Sequence, residues 1–199
     1  MIRNLFIDAD GVTVLERKRF GNRLAEEFNI PYEKILPFFK KEFATCVKGK
    51  ADLKKEIIKY FSDWGWTDSA EALLSNWLSG TKANENILEI IDQLRENKIN
   101  CYLVSDQEKY RAEYITQELN FKNRFDKCFF SCDLGFRKIE RDFYSEVLKQ
   151  IKVSPPEVVF WDDDEKNLNV AKGFGIQAEL YVDFDDFIKK IRESFGVGL

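Results

Sequence analysis

The chain has 199 residues, 44% of them hydrophobic and 33% charged, which is typical of one globular domain or of one domain that carries an insertion. Its net charge is −4 and its acidic and basic residues are mixed along the chain, which argues against nucleic-acid binding because that needs clustered basic residues. Four cysteines without a CxxC pair, together with the absence of histidine, exclude the common structural zinc sites.

The first predicted element is a short buried β-strand at residues 2–7. After it come helical patterns and no convincing strand; the patterns cover residues 15–28, 32–46, 53–61, 69–78 and 86–97. The last of these helices leads into a strand and belongs with the sheet. We therefore predict a helical insertion at 15–83 within a core formed by 1–14 and 84–199.

Residue types at the ends of these helical patterns suggest where two of the helices begin and one ends. Asp52 and Asp68 are candidate N-caps, and Gly80 is a candidate C-terminal stop. The insertion also contains Trp64, Trp66 and Trp77. We predict that these rings form part of its core, because aromatic residues at helical spacing usually pack against each other.

Strands and helices alternate through the rest of the chain. Apolar runs predict strands at 100–104, 127–130 and 158–161, with a further candidate at 178–182, and helical patterns at 109–119, 141–151 and 165–174 separate them. Such alternation implies an α/β fold, in which a Rossmann-like parallel sheet has helices on both faces. The charged N-terminus and the lack of a long apolar run predict a cytoplasmic protein that does not enter a membrane.

Polar residues follow the predicted strands where each one ends. They are Asp8 and Asp10 after the first, Ser105 after the second, Lys138 after the third, and Asp162, Asp163, Asp164 and Asn167 after the fourth. Each alone is compatible with an ordinary polar loop or helix cap. Ligands of an open parallel sheet bind beyond the carboxyl ends of its strands, so the residues together predict one site.

The residue types at this edge favour phosphoryl transfer. Carboxylate oxygens suit a hard divalent ion such as Mg²⁺, whereas a lysine and a hydroxyl suit phosphate oxygens. Because the chain has no histidine, acid–base work near neutral pH must fall to a carboxylate, lysine, cysteine or tyrosine.

Four segments, in order, resemble the four motifs of the haloacid dehalogenase-like hydrolase superfamily. They are residues 6–12 (FIDADGV), 103–105 (LVS), 133–138 (DLGFRK) and 160–167 (FWDDDEKN), and Ala171 and Gly175 extend the last. The resemblance covers the whole chain, and the helical insertion corresponds to the C1-type cap of that family. The branch that it resembles includes small phosphatases similar to glucose-1-phosphate phosphatase and to the N-terminal domain of soluble epoxide hydrolase. Two positions depart from its pattern, since Ile139 replaces a usual proline and Asp106 a frequent asparagine.

The resemblance implies a magnesium site and two catalytic carboxylates. Asp8 would be the nucleophile, which forms an aspartyl-phosphate, and Asp10 would protonate the leaving group and then deprotonate water. Mg²⁺ would be held by the carboxylates of Asp8 and Asp163 and by the backbone carbonyl of Asp10.

The remaining site residues would bind substrate or support the metal. Lys138 and Ser105 would hold the phosphoryl oxygens, and Asp106 lies at a substrate-binding position, where its negative charge is unfavourable beside phosphate. Asp162 and Asn167 would support the site, with Asp162 orienting either the metal shell or Lys138.

The resemblance therefore predicts a Mg²⁺-dependent phosphomonoesterase acting on a small phosphorylated metabolite. The charge distribution and the apolar runs predict no nucleic-acid or membrane partner, and we expect a monomer or homodimer. A 2-haloacid dehalogenase is an alternative, but Asp10 and the acidic run at 162–164 argue against it. A phosphomutase and a non-catalytic binding protein that has kept the fold are two further alternatives. The identity of the substrate does not follow from the motifs.

Overall fold

The computed structural model of the protein describes residues 2–16 and 18–196, and a parallel five-stranded sheet lies at its centre. Its strands, with the numbering in chain order, are β1 (Asn4–Ile7), β4 (Asn100–Ser105), β5 (Lys127–Phe130), β6 (Val158–Asp162) and β7 (Gln177–Leu180). The spatial order is β5-β4-β1-β6-β7, so β1 pairs with both β4 and β6. Every residue of β1 and β6 is buried, as expected for a parallel sheet covered on both faces. The predicted α/β architecture is confirmed.

Successive side chains of each strand point to opposite sides, so the sheet has two apolar faces. Helices cover both of them. The core helices are α7 (Glu85–Glu96), α8 (Lys109–Gln117), α9 (Phe121–Arg124), α10 (Ser131–Leu134), α11 (Arg141–Ile151), α12 (Glu165–Phe174) and α13 (Phe184–Phe195). Leu5 and Ile7 of β1 pack in one apolar cluster with residues of α7 and α13. Phe6 packs in a second cluster with residues of α11 and α12. The sheet is thereby fixed from both sides.

Six of the described helices between β1 and β4 form the cap and share an apolar core of their own. They are α1 (Phe20–Glu27), α2 (Tyr32–Lys40), α3 (Glu42–Val47), α4 (Leu53–Ile58), α5 (Phe61–Trp64) and α6 (Ala70–Ser79). Trp64 and Trp77 are buried in this core, Trp66 is partly buried against it, and Phe20 stacks on Trp77 with ring centroids 4.2 Å apart. The prediction that these tryptophans are part of the cap core is confirmed.

An antiparallel strand pair that the sequence did not reveal joins the cap to the core. It consists of β2 (Val14–Glu16) and β3 (Thr81–Ala83). The helix predicted to begin at residue 15 begins instead at Phe20, because Val14–Glu16 is extended and paired with β3. The predicted domain boundaries, at 14/15 and 83/84, fall within or beside this pair, and the division itself stays a prediction.

Several helix boundaries also differ from the prediction. The helix predicted at 32–46 breaks at Lys41 into α2 and α3, and the one predicted at 53–61 ends at Ile58. Asp52 caps α4 as predicted, but Ser69 rather than Asp68 caps α6, since the Ser69 hydroxyl accepts the Ala72 N–H.

The helix stop predicted at Gly80 is confirmed, since α6 ends there. Within residues 2–16 and 18–196, no helix is long and apolar enough to cross a membrane. The cytoplasmic location stays a prediction.

Candidate active site

Asp8 lies buried at the carboxyl end of β1, the central strand of the sheet. Its backbone N–H donates to the Trp161 carbonyl at 3.0 Å, which continues the pairing of β1 with β6. Its carboxylate Oδ1 accepts the Ala9 N–H at 2.7 Å and lies 2.5 Å from Lys138 Nζ. The carboxylate is therefore held in one orientation by two donors on the same oxygen.

The loop after Asp8 turns sharply and approaches the loop after β6. Gly11 has a φ of +77°, and a Cβ at this position would overlap the Asp163 carboxylate, so only glycine allows the approach. The Thr13 hydroxyl donates to the Asp8 carbonyl at 2.8 Å and fixes the turn from inside. These contacts hold the loop after β1 close to the loop after β6.

Asp162 is fully buried at the end of β6, and every observed partner of its carboxylate is a donor. It accepts from Lys138 Nζ at 2.7 Å, from the Asp164 N–H at 2.7 Å and from Asn167 Nδ2 at 3.1 Å. Of the two supporting roles considered for Asp162, this geometry favours holding Lys138. Asn167, in the first turn of α12, in turn holds Asp162.

Lys138 is a buried ammonium that lies between two carboxylates. Burial alone would lower its pKa, but the negative charges of Asp8 and Asp162 outweigh burial and raise the pKa well above its usual value. Lys138 therefore carries a permanent positive charge at the carboxyl edge of the sheet, where its predicted partner, a phosphoryl group, would bind.

Three carboxylates converge at this edge, since oxygens of Asp8, Asp162 and Asp163 all lie within 4.8 Å of one another. Burial, together with the charges of Asp162 and Asp10, raises the pKa of Asp8 to about 8, although the charge of Lys138 acts to lower it. Burial and the charge of Asp162 also raise the pKa of Asp163. Like charges this close together repel one another, and an oxygen-only donor set of this kind fits a hard divalent cation. The two predicted carboxylate ligands of the metal, Asp8 and Asp163, are thus brought together.

Ser105 and Asp106 follow at the end of β4, next to β1. The Ser105 side chain is buried, and its Oγ accepts from Gln107 Nε2 at 3.1 Å. Asp106 Oδ1 accepts the Lys138 N–H at 2.9 Å, and Asp106 Oδ2 lies 2.9 Å from Arg137 Nε. Both oxygens of Asp106 therefore hold the loop that carries Lys138, and its substrate-binding role stays a prediction.

The Asp10 carboxylate is not one of the three that converge, and it pairs instead with Arg111 and Gln107. Its Oδ1 lies 2.5 Å from Arg111 Nη2, and its Oδ2 accepts from Gln107 Nε2 at 2.8 Å. That Asp10 offers a metal its backbone carbonyl stays a prediction. Sequence reasoning missed Arg111 and Gln107. Gln107 is two residues past the serine at the strand end, which was a usable signal, whereas Arg111 looks like any surface arginine of α8.

The cap lies against the core beside these residues. The Ser131 hydroxyl donates to the Val47 carbonyl at 2.7 Å, and Lys48 Nζ lies 2.8 Å from Glu140 Oε2. Gly49 has a φ of +66°, and a Cβ there would overlap the Cys132 carbonyl. The loop after α3 therefore makes a close backbone contact with α10, the short helix that follows β5.

The sequence matches the haloacid dehalogenase-like hydrolase family over residues 2–175. It is 28% identical over 189 residues to the drimenol cyclase drtB of Aspergillus calidoustus, covering 95% of this chain and 34% of that protein. It is 24% identical over 132 residues to bifunctional epoxide hydrolase 2 of Rattus norvegicus, covering 64% of this chain and 24% of that protein. The chain thus spans about a third and about a quarter of the lengths of these two relatives.

Solved structures share the fold over nearly the whole chain. The HAD family enzyme bt-2542 of Bacteroides thetaiotaomicron has a TM-score of 0.84 at 23% identity, covering 96% of this chain and 98% of that one. A predicted HAD-like family hydrolase of Porphyromonas gingivalis has a TM-score of 0.83 at 19% identity, with full coverage of both chains. The L-2-haloacid dehalogenase of Xanthobacter autotrophicus has a TM-score of 0.68 at 13% identity, covering 100% of this chain and 85% of that one. With its sequence match and its fold in agreement, this chain belongs to the haloacid dehalogenase-like hydrolase family.

Proposed function

We propose that this hydrolase is a Mg²⁺-dependent phosphomonoesterase that transfers a phosphoryl group to Asp8 and then to water. The observation that carries the proposal is the convergence of three carboxylates with the buried ammonium of Lys138 at one sheet edge. The carboxylates suit a divalent cation, and the ammonium suits phosphate. In support, the related enzyme bt-2542 has been solved in complex with magnesium and inorganic phosphate.

The carboxylates of Asp8 and Asp163 and the carbonyl of Asp10 would hold the ion. When bound, Mg²⁺ would offset the repulsion between the Asp8 carboxylate and an anionic phosphate. Lys138 and Ser105 would bind phosphoryl oxygens from the other side. Asp162 would keep the Lys138 ammonium in place, since its carboxylate lies 2.7 Å from Nζ.

In the first step, a carboxylate oxygen of Asp8 attacks phosphorus as the bond from phosphorus to the ester oxygen breaks. Asp10, in its protonated form, gives its proton to the departing alkoxide, which leaves as an alcohol. The product is an aspartyl-phosphate on Asp8 and an ionised Asp10.

In the second step, Asp10 takes a proton from a water molecule as the water oxygen attacks phosphorus. The bond between phosphorus and the Asp8 oxygen then breaks, which returns the Asp8 carboxylate and releases inorganic phosphate. Asp10 ends the cycle protonated, as it began.

The cap favours a small phosphorylated metabolite as the substrate. It contacts the core through the Val47 carbonyl, Lys48 and Gly49, close to the loops that carry Lys138 and Asp106. A surface closed over in this way would exclude macromolecules and bulk water.

A phosphoester screen with and without metal tests the proposal. We expect the purified chain to release inorganic phosphate from p-nitrophenyl phosphate and from some phosphorylated metabolites in Mg²⁺, and not in EDTA. A parallel assay measures chloride release from 2-chloropropionate, which a dehalogenase would give and a phosphatase would not. Chromatography of sugar phosphates detects the isomerised product that a phosphomutase would form. A chain inert toward every phosphoester in Mg²⁺ would contradict the proposal.

A further inference from the structure

Arg111 is a buried guanidinium that bridges two carboxylates on different parts of the chain. Only 5% of its side chain is exposed; its Nη2 lies 2.5 Å from Asp10 Oδ1, and its Nη1 pairs with Glu16. Its Nε–H is buried and has no hydrogen-bond acceptor among the residues that the structure describes. A buried guanidinium is costly unless its charge is matched. The arrangement therefore depends on the two carboxylates that it joins.

The Asp10 carboxylate is half exposed, with 51% of its side chain accessible. Arg111 binds one of its oxygens, and Gln107 binds the other at 2.8 Å. An exposed aspartate without such partners would sample several rotamers. One donor on each oxygen fixes the plane of this carboxylate while leaving its outer side accessible.

Arg111 is itself anchored at its backbone. The buried carboxylate of Glu108 caps α8, accepting the Tyr110 N–H at 2.9 Å and the Arg111 N–H at 2.6 Å. The arginine therefore projects from a fixed first helical turn. A guanidinium with a fixed origin and a planar fork is suited to orienting a carboxylate.

We propose that Arg111 is a positioning residue for Asp10, holding its carboxylate where it can exchange protons with the leaving group and with the attacking water. This inference rests on the proposed function, because it assigns Arg111 a part in the proton transfers of that reaction. The competing explanation is structural: Arg111 would serve only to fix β2 through Glu16. The two explanations are separable because different nitrogens of Arg111 bind Asp10 and Glu16.

A double-mutant cycle on Arg111 and Asp10 tests the inference, with kcat/KM measured on the full chain in Mg²⁺. Two esters of similar shape serve as probes, p-nitrophenyl phosphate and phenyl phosphate, because the second has the more basic leaving group and needs more help from an acid. We expect Arg111→Met to lower kcat/KM by about 10- to 100-fold, which is smaller than the loss of about 10²- to 10⁴-fold expected for the acid–base group itself. The loss of kcat/KM should be larger with phenyl phosphate than with p-nitrophenyl phosphate. The same difference between the two esters should appear for Asp10→Asn.

Non-additivity is the decisive result. If Arg111 acts through Asp10, adding Arg111→Met to Asp10→Asn should change kcat/KM by less than about twofold, because a group that positions an absent base has nothing left to position. Arg111→Lys, which keeps the charge, should recover part of the activity. A loss of equal size in both backgrounds, or on both esters, would overturn the inference and leave a structural role.

Two further variants complete the test, one in case the single change unfolds the chain and one as a control. Glu16→Gln combined with Arg111→Met removes both charges of the distal pair and should show the same loss as Arg111→Met, so it replaces that variant if the single change unfolds the chain. Arg124→Met is the matched control, because Arg124 also bridges two carboxylates, Glu85 and Asp92, among the core helices. It should leave kcat/KM unchanged. An inactive wild-type chain would refute the proposed function and, with it, the role of Arg111. If the wild-type chain is active and Arg111→Met leaves kcat/KM unchanged, only the role of Arg111 is refuted.

Discussion

Asp8 shows how the site depends on a single carboxylate. Two donors fix its Oδ1, and burial raises its pKa to about 8. We expect Asp8→Asn to reduce hydrolysis of p-nitrophenyl phosphate in Mg²⁺ by at least about 10³-fold, because the amide cannot act as the nucleophile. The fold should remain intact, since asparagine has the shape of aspartate, its side-chain oxygen can still accept the Ala9 N–H, and Lys138 keeps its ion pair with Asp162.

The matched control is Asp164→Asn in the neighbouring loop. Asp164 caps α12 by accepting the Lys166 N–H at 2.9 Å, and asparagine caps a helix about as well. This variant should keep near wild-type activity, with circular dichroism confirming the fold of both proteins. Near wild-type turnover by the Asp8→Asn chain would exclude Asp8 as the nucleophile.

Asp10 and Asp163 should differ in what they contribute to metal binding. The Asp10 carboxylate is bound by Arg111 and Gln107, whereas an Asp163 oxygen lies in the carboxylate cluster. We therefore expect Asp10→Asn to lower turnover by about 10²- to 10⁴-fold while leaving Mg²⁺ affinity nearly unchanged. Asp163→Asn should weaken Mg²⁺ binding strongly, because it removes a charged ligand. Calorimetric titration of both variants measures this, and loss of Mg²⁺ affinity in Asp10→Asn would contradict the division of roles.

Sequence reasoning located the residues of the site that stand at strand ends. Asp8, Ser105 and Asp163 were predictable because carboxyl ends of parallel strands meet at one edge, whatever the details of packing. Arg111 was not predictable, because the same local sequence of a helix is compatible with an arginine that faces water and with one that binds a carboxylate. Its partner Glu16 was assigned to a helix, so no sequence pattern could bring the two together.

The elements of the core were predicted more closely than those of the cap. Strand β5 and helices α11 and α12 occur at the predicted residues, because apolar patterns with clear ends define them. Strands β2 and β3 have three residues each, too few for an alternating pattern to show. They are extended because they pair with each other, which is a tertiary effect that local propensity cannot reveal.

Gly49 offers a test of how the cap rests on the core. Its φ is +66° and a Cβ would overlap the Cys132 carbonyl, whereas Gly65 has nearly the same φ, +67°, with nothing within 4 Å of a Cβ. Gly65→Ala should therefore cost only the conformational penalty, about 1 kcal/mol of unfolding free energy. Gly49→Ala should cost about 2–4 kcal/mol, because the two backbones must also move apart.

Urea unfolding of the two alanine variants measures the difference directly. Since Gly49 lies in the cap and Cys132 in the core, we also expect Gly49→Ala to lower kcat/KM on p-nitrophenyl phosphate, while Gly65→Ala leaves it near the wild-type value. Equal effects of the two substitutions on stability and activity would show that the contact with Cys132 contributes nothing beyond the glycine conformation.

Across the whole molecule, the carboxylate cluster should make the stability of the metal-free chain depend on pH. The pKa of Asp8 is raised by burial from 3.8 to about 8, so between these values the native state retains a proton that the unfolded state has released. Stability therefore falls as pH rises through this window, and the raised pKa of Asp163 acts in the same direction.

Magnesium should offset this loss of stability at higher pH, because it binds the ionised carboxylates and stabilises only the native state. We expect the Tm difference between Mg²⁺ and EDTA, measured by calorimetry, to widen from about pH 6 to about pH 8.5, as Asp8 loses its proton near pH 8. The Asp8→Asn chain lacks the main titrating group, so its Tm difference should vary much less over the same interval. A Tm difference that does not change with pH in the wild-type chain would mean that Asp8 is already ionised without metal, held so by Lys138 at 2.5 Å. The balance between burial and that ion pair therefore decides how strongly the metal stabilises the fold at neutral pH.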